Sequence, residues 1–251
     1  MRVLLYLLLL WLAQISFCQK VCMDSMNHKV TAGPEDDLHG QCTPWKKESC
    51  CTGITTRNLH TTVMYGFTFD FCGENMSADC RRHFHRDLCF YECEPNLGPW
   101  IVKVNRKFSR ERFFQVPLCQ SDCQDWWNDC RLDWACVRNW PRQFKWRKGW
   151  LQRPPQFSTS SFVRAGSNHC PVPCVRMKDL YSNASDFCSE VWDQSWKVVP
   201  DEMPCMRLWF DGSRGNPNEA VAKLYGGTTT VSHSLPVLLG ALFILHGLTS
   251  M

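Results

Sequence analysis

The stretch that decides the fold runs from residue 77 to residue 100 and reads Ser-Ala-Asp-Cys-Arg-Arg-His-Phe-His-Arg-Asp-Leu-Cys-Phe-Tyr-Glu-Cys-Glu-Pro-Asn-Leu-Gly-Pro-Trp. Apolar and cysteine side chains recur in it at helical spacing, at Cys80, Phe84, Leu88, Cys89 and Cys93. Glu94-Pro95 ends the pattern, because proline disfavours helical backbone in the residue before it. The pattern therefore predicts a helix that begins near Ser77 and ends near Glu94.

This predicted helix has two distinct faces. Asp87 and Tyr91 lie one turn apart on one side, and Cys89 and Cys93 lie nearly opposite, since each residue advances by about 100°. We expect the cysteines to fasten the helix to the rest of the protein. Asp87 and Tyr91 then point together in another direction.

The flanking sequence predicts two more helices, each with a cysteine-bearing face. One begins near Pro117 and carries Cys119, Cys123, Trp126 and Cys130; the other begins near Ser185 and carries Cys188, Trp192, Ser195 and Trp196. Residues 19–75 are rich in Gly and Pro breakers and predict short strands and turns. Residues 140–169 contain Pro154-Pro155 and little apolar periodicity, and they predict a long basic loop.

Both ends of the chain carry patterns typical of processing signals. A secretory signal peptide is predicted over residues 1–18, because Met1-Arg2 is followed by an apolar run and by small residues just before the expected cleavage site. At the other end, Gly226-Gly227, a polar spacer and an apolar tail predict a glycosylphosphatidylinositol (GPI) attachment signal over 227–251, with Gly226 as the attachment residue. The mature domain is then 19–226, lipid-anchored on the extracellular face of the plasma membrane. Uncleaved membrane anchors are the alternative.

Cysteine usage points to the same compartment. The chain has 17 cysteines, and removal of the signal peptide with Cys18 leaves an even set. A dense, even set in an extracellular chain is typical of a disulfide framework, here of eight bridges, whose pairing the spacing leaves open. No C-x2-C pair occurs, so we expect no metal site. The sequons at Asn75 and Asn183 predict surface glycosylation.

Charge is modest overall but uneven along the chain. Lysine and arginine total 28 against 24 acidic residues, and a net charge of +4 does not indicate nucleic-acid binding. Between Arg131 and Lys178, ten basic residues accompany one acidic residue. This stretch fits a solvated basic loop, an attraction for an anionic ligand, or a contact with an acidic partner. Export from the cell makes nucleic acid a poor partner.

Several strings resemble the folate receptor family. They are Cys89 to Trp100 as quoted, Val116-Pro-Leu-Cys119, Asp125-Trp-Trp-Asn-Asp-Cys130, Trp209-Phe-Asp211 and Gly215-Asn-Pro-Asn-Glu219, together with Gly33-Pro-Glu-Asp36 and Cys50-Cys51. The resemblance extends over about residues 21–225. It implies a single disulfide-rich globular α+β domain, with short helices and strands, long loops and a deep pocket. Folate is the implied ligand, with no cofactor and no catalytic residue.

The resemblance also implies a disulfide pairing. Carried over from the family, the eight pairs are Cys22–Cys50, Cys42–Cys89, Cys51–Cys93, Cys72–Cys174, Cys80–Cys130, Cys119–Cys205, Cys123–Cys188 and Cys136–Cys170.

The resemblance assigns ligand-binding roles as well. A pterin presents a ring N–H and an exocyclic amine side by side, two donors that match the oxygens of one carboxylate, and Asp87 stands where the family places it. Aromatic positions of the pocket match Tyr91, Trp192, Tyr65, Phe67 and Trp196, and a position beside the benzoate matches Phe108. Polar contacts match Ser195 and Arg112, and contacts to the glutamate tail fall on Trp146, Lys148 and Trp150.

Simpler interpretations of these residues stay open. An ion pair of Asp87 with Arg82 or Arg86 would serve structure alone. The aromatic positions would serve equally well as core. The sequence also departs from the family, with Ser109 at an arginine position, Pro141 or Arg147 at a histidine position, and an insertion after Trp146. Cys170-x3-Cys174 looks more like egg riboflavin-binding proteins of the same superfamily.

The resemblance thus implies a GPI-anchored receptor that binds folate and reduced folates and delivers them by endocytosis. One alternative is a Juno-like egg-surface receptor for a sperm protein, without folate binding; another is a riboflavin carrier. Asp87 argues against both, since Juno lacks this carboxylate and a flavin's pyrimidine edge places one N–H between two carbonyls that a carboxylate would repel. The sequence contains no nucleophile–base motif that would indicate an enzyme.

Overall fold

Short helices and short strands alternate through the part of the chain that the computed structural model describes, residues 20–61, 64–146 and 168–226. Helices α1 to α6 span Gly53–Thr61, Ala78–Cys93, Gln120–Cys130, Trp140–Gln143, Met177–Leu180 and Ala184–Val191, and α7 covers 218–226. Strands β1 to β8 span Ile101–Lys103, Glu111–Phe113, Val116–Cys119, Trp134–Ala135, Lys145–Trp146, Asn168–His169, Val175–Arg176 and Trp196–Val199.

The strands of the described residues pair into four two-stranded sheets. The β3–β8 pair is parallel, and the β1–β2, β4–β7 and β5–β6 pairs are antiparallel. No sheet is large enough to form a core of its own, so helices and disulfides hold the sheets in place. The predicted α+β class with short elements is confirmed.

Helix α2 is the element predicted from the opening stretch, and its bounds are confirmed. The Ser77 hydroxyl caps the first turn by accepting a hydrogen bond from the Cys80 N–H at 3.3 Å, and the chain leaves the helix at Glu94. The buried face is aromatic. Phe84 stacks on Trp140 with ring centroids 4.7 Å apart and meets Trp126 edge-on at 5.0 Å. These contacts pack α2 against both α3 and α4.

Eight disulfides tie the described residues together in the pairing that the resemblance implied. They join Cys22–Cys50, Cys42–Cys89, Cys51–Cys93, Cys72–Cys174, Cys80–Cys130, Cys119–Cys205, Cys123–Cys188 and Cys136–Cys170. Three of them end on α2: Cys80 links it to α3, and Cys89 and Cys93 link it to the N-terminal segment. Helix α2 is therefore held covalently near both ends.

The predicted start of the second helix is wrong, because Pro117 lies in a strand. Val116–Cys119 is fully buried and pairs in parallel with Trp196–Val199, with Val116 opposite Trp196. Helix α3 therefore begins at Gln120. A pairing with a distant strand has overridden the local helical spacing.

The third predicted helix is corrected at both ends. Helix α6 is capped by the side chain of Asn183, not Ser185, and it ends at Val191. Trp192 and Ser195 lie in the turn that follows, and Trp196 begins β8. The helix therefore ends at Val191, five residues before Trp196, the last residue of the predicted pattern.

The N-terminal segment also differs from the prediction. Its described residues contain isolated bridges, such as Val21–Asn96, and helix α1 in place of short strands. Gly53 opens this helix because a Cβ there would lie 2.3 Å from the carbonyl oxygen of Asp37. Only glycine allows the two backbones to approach so closely.

The predicted loop over 140–169 is corrected at both ends. Residues 140–143 form α4, and Lys145–Trp146 pairs antiparallel with Asn168–His169. Residues 147–167, with Pro154-Pro155, lie outside the described residues.

A buried carboxylate joins the two ends of the domain. Glu94 is 2% exposed and accepts hydrogen bonds from the indole N–H of Trp45 at 2.9 Å and from the Asn218 amide at 2.9 Å. Trp45 belongs to the N-terminal segment and Asn218 begins α7. Glu94 therefore links both to the end of α2.

The expected signal peptide and GPI signal lie outside the described residues, of which Gly226 is the last. Asn75 and Asn183 are exposed, as surface glycosylation requires. No helix within the described ranges is long and apolar enough to cross a bilayer.

Free-thiol labelling tests the disulfide framework. Because every cysteine from Cys22 to Cys205 is paired, secreted 19–226 protein that is denatured without reductant should gain no thiol label by mass spectrometry. The same protein after full reduction is the positive control. Two or more labelled cysteines in the unreduced sample would contradict the framework.

Candidate ligand-binding cleft

A cleft of about 1910 Å³ opens beside α2, the segment 64–73, α4 and the turn from α6 to β8. Nine of the predicted ligand residues line it: Asp87, Tyr91, Tyr65, Phe67, Phe108, Arg112, Trp146, Trp192 and Ser195. Trp196 is fully buried and is absent from the described lining. Lys148 and Trp150 lie outside the described residues. The structure thus gathers most of the predicted site around one cavity.

Asp87 is a buried carboxylate on the lining of the cleft. It is 4% exposed and accepts a hydrogen bond of 2.9 Å from the indole N–H of Trp196. The two arginines weighed as its partners are engaged elsewhere. Arg82 pairs with Asp79 and Asp129, and the Arg86 guanidinium lies 5.2 Å from the centre of the Trp209 ring. The immediate partners of Asp87 among the described residues are therefore indole N–H groups.

This environment changes the acidity of Asp87. Burial raises the pKa of Asp87 to about 7, although the N–H groups of Trp196 and Trp192 favour the ionised form. The Trp192 nitrogen is itself buried and lacks a well-formed hydrogen bond to any described residue. A carboxylate with spare acceptor capacity and an unused donor therefore lie close together, which suits the polar edge of a ligand.

Aromatic rings line the cleft in two groups. In the first, Phe67 stacks on Trp140 at 5.5 Å and meets Trp192 edge-on at 5.8 Å. In the second, the rings of Tyr65 and Phe108 lie 4.6 Å apart. Such surfaces favour a flat, conjugated ligand.

Tyr65 is held in place by a buried charged network. Its φ of +54° lies in the left-handed region, and its hydroxyl donates to Glu92 Oε1 at 2.5 Å and accepts from the Asn27 amide at 2.8 Å. The other oxygen of Glu92 pairs with His28 Nε2 at 3.1 Å. His28 Nδ1 donates to the Met23 carbonyl at 2.9 Å. Burial alone would lower the pKa of His28, but Glu92 raises it above its ordinary value.

Sequence analysis missed Asp193, which organises the cationic side of the cleft. Arg112 Nη1 donates to Asp193 Oδ2 at 2.9 Å, and Arg112 Nη2 donates to the backbone carbonyl of Asp193 at 2.5 Å. Arg142 Nε and the Asn139 amide, the latter at 3.0 Å, donate to Oδ1. Burial alone would raise the pKa of Asp193, but these donors hold it below its usual range. Arg112 lies 81 residues away, so no local pattern could have identified the pair.

Two of the residues that depart from the family pattern lie within the described part of the chain. Ser109 is buried and its hydroxyl donates to the Glu111 carbonyl, while Pro141 lines the cleft. Arg147 lies outside the described residues.

Two clusters of metal-type ligands occur among the described residues, Cys72 with Cys170 and Cys174, and Cys119 with Asp201 and Cys205. Every cysteine in them is in a disulfide, so no thiolate is available to bind a metal. These clusters do not support a metal site.

Comparison with known proteins identifies the family. The model of the folate receptor family matches residues 21–207, a range that includes every described lining residue of the cleft. The chain belongs to the folate receptor family. The membership indicated by the sequence strings is confirmed.

Two folate receptors and a riboflavin-binding protein are among the similar proteins. Folate receptor gamma of Homo sapiens is 41% identical over 212 residues, which cover 82% of this chain and 79% of that protein. Folate receptor alpha of Bos taurus is 41% identical over 217 residues, covering 84% and 83%. Riboflavin-binding protein of Dromaius novaehollandiae is 30% identical over 197 residues, covering 77% and 74%.

Thermal unfolding of this folate receptor family member without ligand tests the cost of burying Asp87. Because the pKa of Asp87 is about 7 in the folded protein against an ordinary 3.8, the native state keeps a proton that the unfolded chain loses between about pH 4 and pH 7. The free energy of unfolding should fall as pH rises through that window, by roughly 4 kcal/mol. Asp87→Asn should remove this loss and melt several degrees above wild type at pH 8, by a smaller margin at pH 5, and close to it at pH 4 and below.

The matched control is Asp125→Asn, which changes an exposed carboxylate on α3. It should leave the pH profile of the melting temperature unchanged. An Asp87→Asn protein that follows the wild-type profile would show that Asp87 is not the titrating group.

Proposed function

We propose that this chain is a cell-surface receptor that binds folate and reduced folates in the cleft and carries them into the cell by endocytosis. The observation that carries the proposal is the Asp87 carboxylate, which is buried on the lining of the cleft beside indole N–H groups. A buried carboxylate without a cation is costly unless donors reach it. A ligand that supplies those donors offsets this free-energy cost and therefore binds more tightly.

A pterin has the matching edge. Its ring N–H and exocyclic amine point the same way and can each donate to one oxygen of Asp87. Trp192, Tyr91 and Tyr65 offer faces to the flat ring, and Arg112 offers donors to an acceptor on the ring. The cleft of about 1910 Å³ exceeds the roughly 300–1,000 Å³ typical of small-ligand sites. It therefore has room for the benzoate and glutamate parts of folate.

Riboflavin is a weaker candidate despite the similarity to riboflavin-binding protein. Its pyrimidine edge places carbonyl oxygens on both sides of one N–H. An ionised Asp87 accepts one hydrogen bond from that edge and repels the flanking oxygens.

The raised pKa of Asp87 supports release of ligand in acid. Two ligand donors favour the ionised carboxylate, so binding below about pH 7 must first remove a proton from Asp87. The affinity then falls by up to about tenfold for each pH unit below that value. A vesicle that acidifies after uptake would therefore favour dissociation.

The sequence signals support the location of this receptor. We infer a mature domain of residues 19–226, glycosylated at Asn75 and Asn183 and attached to the outer leaflet by a GPI anchor at Gly226.

A titration of folic acid into 19–226 protein, followed by tryptophan fluorescence, tests the ligand and the role of Asp87. Asp87→Asn should weaken binding at pH 7.4 by about a hundredfold or more, because charge-assisted hydrogen bonds contribute about 1.5 to 3 kcal/mol each. Wild-type affinity should fall steeply between pH 7 and pH 5, and the variant should show a flatter profile.

Asp125→Asn should bind folic acid as wild type does, and riboflavin should compete poorly. Wild-type protein that binds no folic acid at micromolar concentration would contradict the proposal. Binding of riboflavin, or of a sperm surface protein, under the same conditions would then favour the corresponding alternative.

Treatment of intact cells with phosphatidylinositol-specific phospholipase C tests the anchor. The enzyme should release the protein, because it cleaves the lipid that replaces residues 227–251. A variant with a transmembrane helix in place of those residues should stay on the cell. Full retention of the wild-type protein, with its apolar tail still detected by mass spectrometry, would contradict the GPI anchor.

A further inference from the structure

One carboxylate serves three arginines at the cleft. Asp193 pairs with Arg112 at 2.9 Å, with Arg142, and with Arg106 at 3.9 Å. The Arg112 side chain is 8% exposed, whereas those of Arg142 and Arg106 are 70% and 32% exposed. All four residues line the cleft. The group therefore keeps an excess of positive charge on a surface that a ligand can reach.

The turn that carries Asp193 has an uncommon backbone. Asp193 and Gln194 both have φ of +59°, and Gln115, whose N–H donates to the Gln194 carbonyl at 2.8 Å, has φ of +53°. Non-glycine residues in the left-handed region cost energy and tend to occur at functional sites. The same turn carries Trp192 and Ser195 of the cleft lining. Its conformation directs the Asp193 carboxylate toward Arg112 instead of solvent.

The two oxygens of Asp193 have different partners. Oδ2 accepts from Arg112, which the backbone carbonyl of Asp193 also holds, so the buried arginine has two bonds to one residue. Oδ1 accepts from Arg142 and from the Asn139 amide. The Arg142 side chain is 70% exposed, so solvent or another anion reaches it more easily than it reaches Arg112, whose side chain is 8% exposed. A second carboxylate that enters the cleft can therefore pair with Arg142 while Arg112 stays bound to Asp193.

We propose that Asp193 sets ligand specificity, because it competes with the acidic tail of the ligand for Arg142 and Arg106 while it positions Arg112 beside the heterocycle. This inference rests on the proposed function, since it takes the ligand to be a heterocycle with a carboxylate-bearing tail. The internal carboxylate weakens the contribution of the tail and leaves that of the heterocycle largely unchanged. The cleft consequently has a weaker preference for anionic tails than it would have without the Asp193 carboxylate.

Asp193→Asn separates the two roles of this carboxylate. Asparagine tolerates positive φ and keeps one oxygen, which can still accept from Arg112. Its amide nitrogen then faces Arg142. Because this nitrogen cannot accept a hydrogen bond, the ion pair with Arg142 is lost. The ratio of the affinity for folic acid to that for 6-methylpterin, which has no tail, should rise by roughly twofold to fivefold in the variant. The rise should shrink in high salt, which screens exposed charges.

Two further variants make the comparison specific. Asp211→Asn changes another aspartate that pairs with an exposed arginine, Arg214, but it does not line the described cleft, so the affinity ratio should stay at the wild-type value. Arg142→Gln combined with Asp193→Asn should remove most of the rise, and the double-mutant cycle isolates the coupling. An unchanged ratio in Asp193→Asn, or an equal loss of affinity for both ligands, would overturn the proposal.

Sulfate tests the cluster independently of folate. At matched ionic strength, sodium sulfate should raise the melting temperature of Asp193→Asn more than it raises that of wild type or Asp211→Asn, because the released arginines bind the anion. Equal increases in all three proteins would overturn the competition. If wild type binds neither folic acid nor 6-methylpterin but the sulfate difference is present, the proposed function fails and the competition for anions stands.

Discussion

Helix α2 cannot rotate about its own axis, because disulfides from Cys80, Cys89 and Cys93 fix it near both ends. Cys89 and Cys93 are directed at the N-terminal segment, and the helical repeat places residue 87 about 200° from Cys89, on the opposite side of the helix. Cys80 lies two turns before Asp87 on nearly the same side and fixes that side against α3. The direction of Asp87 is thus a geometric consequence of covalent bonds at other positions. The neighbouring Glu92 faces the buried His28, so one helix supplies both the cleft lining and the network that holds Tyr65.

Two aspartates at this cleft behave in opposite ways, although their side chains are chemically identical. Asp87 lies beside indole N–H groups, and burial raises its pKa to about 7. Asp193 is also buried, but three guanidiniums surround it and its pKa is lowered. At Asp193 the arginines and the Asn139 amide more than offset the effect of burial, whereas at Asp87 the burial is deeper and the indole N–H groups offset it only in part. Asp87 is consequently free to accept a ligand's donors, whereas the acceptor capacity of Asp193 is already used.

The sequence predicted the features that depend on neighbours close in the chain. Helix α2 followed from the spacing of Cys80, Phe84 and Leu88 and from Pro95, and these signals act within a few residues. Pro117 was misplaced because the strand that pairs with it lies far along the chain. Asp193 was missed for the same reason. Its role depends on the ion pair with Arg112, which lies 81 residues away in the chain, and no residue near 193 indicates that pair. The pairing of the cysteines came from family resemblance, because spacing alone allows many connectivities.

The disulfide between Cys136 and Cys170 closes a loop of the chain at its base, and the β5–β6 pair lies inside that loop. The number of residues between β5 and β6 can therefore change without moving the flanking cleft residues, since loop-closure entropy grows slowly with length. A single backbone cut between residues 147 and 167 would leave both fragments joined through four disulfides, Cys72–Cys174, Cys119–Cys205, Cys123–Cys188 and Cys136–Cys170. The nicked protein would therefore run as one band without reductant.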